Sequence, residues 1–153
     1  MLVARRRKSR EIVFAVLFQL EHGQDDPDRV ADEVIGERRP GPEVSDYARA
    51  LLAGILSRGE EIDRTIAAAL ENWTYARLAA TDRSVLRLAV GELLVSPETP
   101  AVVVINEAVE LAERYGTSES AGFVNGVLDR IARALRAGEM RAASSSRGGP
   151  DRG

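Results

Sequence analysis

The chain has 153 residues, 44% of them hydrophobic and 29% charged, which is enough for one domain with a continuous core. It contains no cysteine and a single histidine, which excludes a disulfide framework and any thiolate or multi-histidine metal site. The formal net charge of -3 conceals an asymmetry, because Arg5, Arg6, Arg7, Lys8 and Arg10 give the first ten residues +5 and leave -8 on the rest. Such a chain attracts phosphate at one end and repels a duplex along the remainder of its surface.

Apolar residues recur at helical spacing along almost the whole chain, and strand-like alternation is absent. The pattern predicts an all-α fold, a compact bundle of about six to seven helices. The basic start followed by Ile12 to Phe18 imitates a signal peptide, but Gln19, Glu21 and His22 follow at once and no small-residue cleavage pattern appears. Ile12, Val13, Val16, Leu17 and Leu20 instead make one face of a first helix that Gly23 ends. No stretch approaches the roughly 18 apolar residues of a membrane span, and a cytoplasmic protein is expected. Pro27 opens a second, short helix carrying Val30, Val34 and Ile35, and Pro40-Gly41-Pro42 breaks the chain. From Glu43 to about Leu70 the pattern fits one kinked helix or two successive ones, with Gly54 and Gly59 as weak points.

Trp73, with Leu70, is expected to plug the joint between two helical halves, its indole N–H needing one partner. Asp82 is the expected N-cap of the next helix, which buries Val85, Leu86, Leu88, Ala89, Leu93 and Leu94 before Pro97 and Pro100 stop it. A further helix runs from about Ala101 to Tyr115 and ends at Gly116; the last starts near Ser118 or Glu119 and carries Phe123, Val124, Val127, Leu128 and Ile131. The domain is expected to span residues 1–138, with 139–153 a disordered polar tail rich in Ser, Gly and Arg.

Little in the chain supports catalysis. His22 sits at a helix end beside Gly23 with no second ligand at metal-binding spacing, and the carboxylates are spread over helix faces. There is no Gly-rich phosphate loop and no nucleophile elbow, so neither an enzyme nor a cofactor is expected. Binding is better supported. Single-stranded RNA is held by cations along its backbone and by aromatic or Arg planes against unstacked bases. Arg6, Arg7, Lys8 and Arg10 would supply the cations, while Tyr115 and Phe123 are the stacking candidates among seven aromatic residues. Taken alone, Phe123 reads as core, because Val124, Val127 and Leu128 are its helical neighbours. Asn106 is expected to cap or bridge helices, and Asn125 has no assigned role.

Four blocks carry a family resemblance: Arg6-Arg7-Lys8-Ser9-Arg10-Glu11; Asn72-Trp73 followed by Asp82-Arg83-Ser84-Val85-Leu86-Arg87; Ile105-Asn106-Glu107-Ala108 through Tyr115-Gly116; and Phe123-Val124-Asn125-Gly126-Val127-Leu128-Asp129. In this order and spacing, over roughly residues 5 to 136, the chain resembles the NusB family of small bacterial helical factors. The resemblance implies two helical subdomains packed at an angle. It also implies binding of boxA-like single-stranded RNA in transcription antitermination of ribosomal RNA operons, on transcribing RNA polymerase with other Nus factors. RNA would meet the basic segment and the Tyr115 to Asn125 region, including an acidic position that falls on Glu119. The small-subunit ribosomal protein that doubles as NusE would meet the helix beginning at Asp82, with Asp82 and Arg83 exposed. The chain departs from the family pattern at Gly91, where an aromatic commonly precedes Glu92; a glycine there costs about 1 kcal/mol relative to alanine and leaves a notch in that helix. Other readings are an accessory domain working with a ribosomal RNA methyltransferase, or a homo-oligomeric helical scaffold without RNA; the sequence leaves both a monomer and a homodimer open.

Overall fold

Helix boundaries fall at the residues whose backbones resist continuation. A computed structural model describes residues 2–23 and 25–141, and among these the secondary structure is entirely helical. Helix α1 spans Leu2–Leu20 and α2 spans Pro27–Arg38, where Pro27 occupies the first turn and the Asp26 carboxylate accepts the Arg29 N–H at 3.2 Å. Arg39 closes α2 in the left-handed region, at φ 48°, donating its N–H to the Ile35 carbonyl. The stretch after Pro40-Gly41 is two helices, α3 (Pro42–Ser57) and α4 (Gly59–Ala69), parted at Arg58. A single 3-10 turn, Tyr75–Arg77, leads to α5 (Ala80–Val95); α6 (Ala101–Tyr115) and α7 (Ser120–Leu135) follow.

Helix α5 is the axis of the molecule. Val85, Leu86, Leu88, Ala89, Val90, Gly91, Glu92 and Leu93 are all buried, so the helix is covered on every side after its first turn. It packs against α1 and α3 from one half and against α4, α6 and α7 from the other. Each fully buried Val or Leu contributes about 1.5–3 kcal/mol relative to exposure, so the two halves are held mainly by what they jointly bury on α5.

Two features of α5 set how closely its neighbours approach. A Cβ at Gly91 would lie 2.2 Å from Cγ1 of Ile55, which is 3% exposed. The expected surface notch is therefore an interior one, filled by α3, and bears on core packing instead of on a partner surface. One residue on, the fully buried Glu92 carboxylate accepts Arg10 Nε at 2.7 Å, Arg10 Nη2 at 2.8 Å and the Tyr47 hydroxyl at 2.8 Å. Arg10 also reaches Glu107 on α6 at 3.5 Å. Burial alone would lower the guanidinium's pKa, but the hydrogen bonds and charge of Glu92 hold it above the ordinary value.

The ordered domain extends past residue 138. Helical backbone continues over 137–141, Met140 is 2% exposed in the core, and Glu139 accepts the Ala101 N–H at the open end of α6 at 2.9 Å. Arg136 binds Glu139 at 2.7 Å and donates to the carbonyls of Leu93, Ser96 and Thr99, closing the C-terminal end of α5. The Ala101 N–H and Arg136 hold the Glu139 carboxyl below the usual carboxylate range. The boundary expected at 138 is thus too early by at least three residues; the expected disorder of 142–153 lies outside the described residues.

Other expectations need correction. Trp73 is 56% exposed and plugs nothing. The N-cap of α5 is Ala79, without a side-chain bond, and Asp82 lies in the first turn, where its charge complements the helix dipole. Asn106 and Asn125 are exposed on α6 and α7, and neither caps a helix among the described residues.

Gly91→Ala will destabilise the fold in urea titrations, because overpacking costs about 1–3 kcal/mol and outweighs the gain of about 1 kcal/mol in helix propensity. Gly36→Ala, in α2 with nothing within 4 Å of the added Cβ, will instead stabilise by about 0.4–1 kcal/mol. Arg10→Met will cost about 3–5 kcal/mol by stranding buried Glu92, while Arg10→Met with Glu92→Leu will lose less than the single change.

Candidate nucleic-acid interface

The basic residues all lie on α1, so a helix and not a loose arm presents them. Their environments differ. Arg5 pairs with Glu43 at the start of α3. Arg6 packs over Tyr47, its guanidinium carbon 3.6 Å from the ring centroid. Arg7 binds Glu107 through Nε at 3.1 Å and Nη2 at 2.9 Å, with Glu110 3.3 Å away. Lys8 is exposed and pairs with no carboxylate among the described residues. Arg10 is removed from the contact set expected from sequence: its side chain is 6% exposed and both its forks are held by Glu92. It falls on the stripe of Val13 and Leu17, a spacing that already placed it inward. Burial would raise the Glu107 pKa, but the hydrogen bond and charge of Arg7 and the charge of Arg10 bring it below the ordinary value.

Aromatic rings line two clefts on either side of the start of α5. In the first, Tyr115 stacks on Phe14 with centroids 5.0 Å apart and planes at 24°, and Phe14 in turn meets Phe18 at 6.0 Å and 26°. The His22 ring leans on Phe18 at 4.7 Å, so four rings form a ladder along α1. Tyr115 is 45% exposed at the end of this ladder, and the groove, about 300 Å³, is completed by Gln19, Arg38 and Thr81. The second cleft, about 260 Å³, is lined by Trp73, Arg77, Leu78, Ala79, Asp82, Thr117, Glu119, Ser120 and Phe123. A wider groove of about 540 Å³, between the starts of α1 and α3, carries Arg5 and Lys8.

The structure therefore joins Glu119 and Phe123 with Asp82 and places Tyr115 in the neighbouring groove. Phe123 is half-buried, one side against the core and the other facing the cleft. Trp73, Arg77, Phe14 and Phe18 were missed by sequence reasoning. Phe14, Phe18 and His22 stand at four-residue intervals, a visible signal for one ring-bearing face; nothing local marked Trp73 as exposed.

The pair expected to meet a protein partner is also revised. Arg83 is half-buried, gripping Glu21 at 2.6–3.0 Å and donating to the carbonyls of Tyr75 and Leu78. Arg87 continues the network from Glu21 at 2.6 Å to Asp63 at 3.0 Å, and the Tyr75 hydroxyl donates to Asp63 at 2.6 Å. Arg83 thus ties the end of α1 to the segment before α5. Asp82 is half-buried and faces the second cleft.

Comparison with known proteins places the chain in a family. The model of the NusB family matches residues 7–133. The transcription antitermination protein NusB of Pseudothermotoga lettingae is 41% identical over 139 residues, covering 91% of this chain and 99% of that protein. The NusB of Koribacter versatilis is 44% identical over 133 residues, covering 86% and 91%. Among solved structures, T. maritima NusB superposes with a TM-score of 0.80 at 43% identity, covering 84% of this chain and 90% of that one. A chain from a complex of the antitermination factors NusB and NusE with double-stranded RNA gives 0.80 at 30% identity, covering 86% and 98%. With a family match over most of its length and relatives this similar nearly end to end, the chain belongs to the NusB family.

Proposed function

We propose that this chain is a non-catalytic, cytoplasmic transcription antitermination factor. It binds boxA-like single-stranded RNA together with the ribosomal protein NusE and promotes processive transcription of ribosomal RNA operons by RNA polymerase with other Nus factors. The observation that carries the reading is the pair of aromatic clefts flanking the start of α5, on a molecule whose α1 presents Arg6, Arg7 and Lys8. The complex of a family member with NusE and RNA supports the choice of partners.

The site divides its labour by charge. Phosphates are drawn to α1, where cations gather, and are repelled from the second cleft, where Asp82 and Glu119 lie with the single cation Arg77. Bases enter that cleft instead. Phe123 and Trp73 offer faces for stacking, and the two carboxylates accept N–H groups from a base edge. Asp82 belongs to this cleft by position, while Arg83, committed to Glu21, supports the fold beneath it.

Three measurements test the reading. Trp73→Ala should cost about 1–3 kcal/mol of RNA affinity with an unchanged melting temperature, whereas Phe123→Ala should lower both, its core side adding a stability loss toward the lower end of the usual 3–5 kcal/mol. A Trp73→Ala protein with full RNA affinity would remove the second cleft from the site. If three cations meet phosphates, log affinity should fall with log salt at a slope of about -2, and Arg6→Ala with Arg7→Ala should flatten it without changing helix content. RNA and NusE should tighten each other by a common factor worth about 1–3 kcal/mol. Equal RNA affinities with and without NusE would dispose of the cooperative element.

A further inference from the structure

We propose that Glu107 and Glu110 of α6 stand in for a phosphate on the RNA-binding helix, holding Arg7 in a contact that RNA has to displace and thereby setting the affinity of that surface. The proposal rests on the RNA-binding reading above.

The geometry of Arg7 is that of a guanidinium already engaged. Nε and Nη2 donate in parallel to the two oxygens of Glu107, the fork-to-fork arrangement that a phosphate would otherwise take, and Glu110 lies 3.3 Å from the same Nη2. The two carboxylates are not equivalent. The Glu107 side chain is 12% exposed and steadied from behind by Arg10, whereas that of Glu110 is 46% exposed and answers to Arg7 from the solvent side. Arg7 itself is 45% exposed, so an anion can reach it, but only by exchange.

Its neighbours on α1 carry no such restraint. Arg6 rests half-buried on the Tyr47 ring, Lys8 is exposed, and neither pairs with a carboxylate among the described residues. An incoming strand therefore gains Lys8 and Arg6 outright, and gains Arg7 at the expense of the pair with α6. A polyanion that cannot align with all three leaves the pair closed.

Exposed ion pairs are weak, so the effect is graded: removing the solvent-side carboxylate should tighten RNA binding about two- to fivefold. The number of phosphates contacted is unchanged by this substitution, so the salt slope should stay where it is. Arg7→Ala, by contrast, removes one contact and should flatten the slope by about 0.7.

The test is a set of anisotropy titrations of a labelled boxA-like RNA against the full chain, repeated over a salt series. The variants are Glu110→Gln, Glu107→Gln, Arg7→Ala, and Arg7→Ala with Glu110→Gln. Glu113→Gln is the charge control, removing an equal charge from the same face of α6 without an ion pair to Arg7. Glu107→Gln also loosens the buried Arg10, so Glu110→Gln carries the decision. The expected result is tighter binding by Glu110→Gln than by Glu113→Gln, with the gain lost in the Arg7→Ala background. A Glu110→Gln protein that binds no tighter than the control, or a gain that survives Arg7→Ala, overturns the proposal. If the unaltered chain binds RNA with the expected slope while Glu110→Gln shows no gain, only the displaced-carboxylate mechanism falls; if the unaltered chain binds no RNA, the functional reading falls with it.

Discussion

A buried guanidinium-carboxylate pair governs this molecule. Arg10 and Glu92 meet in two short hydrogen bonds where water cannot reach them, and Tyr47 completes the carboxylate's shell. Three helices, α1, α3 and α5, each contribute one of these side chains, so their mutual rotation is fixed by groups that tolerate little error. Hydrophobic residues alone would permit α1 to turn or slide against α5. The pair sets one register, and with it decides which cations of α1 face outward.

Function follows from that rotation. With Arg10 drawn inward, Arg7 and Lys8 take the outer side of the helix, Arg6 lies half-buried over Tyr47 on the flank, and Phe14 comes to lie between Phe18 and Tyr115 of α6. The same helix thus supplies charge at one end and ring faces at the other. The second cleft is set independently, by the segment 70–79 that Arg83 ties to Glu21, and by the short connection between α6 and α7. Two attachments place two aromatic-lined grooves on either side of one helix start.

The helices were legible in the sequence because apolar spacing, proline and glycine report on local backbone preference. Pro27, the break near Gly59 and the stop at Pro97 and Pro100 all fell where their chemistry put them. What the sequence reading missed depends on long-range contact. By sequence Gly91 is a helix defect, but Ile55 of α3 fills the space it leaves; Met140 belongs by sequence to a polar tail, but the clamp of Arg136 and Glu139 holds its segment against the core. Among the candidate site residues, Glu119 follows from the family resemblance alone and Phe123 from its ring together with that resemblance, and the two share a cleft. Arg10 and Arg83 were misread as surface cations because their partners, Glu92 and Glu21, lie 82 and 62 residues away. An arginine shows its sign in a sequence but not its counter-ion.

The sharing of α5 by both halves also shapes the order of events during synthesis. Helices α1 to α3 are complete by Ser57, yet the surface they pack against begins at Ala80, and Arg10 has no buried partner until Glu92 has been made. The first half therefore leaves the ribosome with the apolar surface meant for α5 uncovered and Arg10 without its buried partner. It has to wait for some forty further residues before a native core can close, roughly 2–8 s at bacterial or slower elongation rates of about 5–20 residues per second. In that interval the basic start of α1, +5 over the first ten residues, is held beside ribosomal RNA. The cations proposed to recognise RNA are thus the first part of the chain exposed to it.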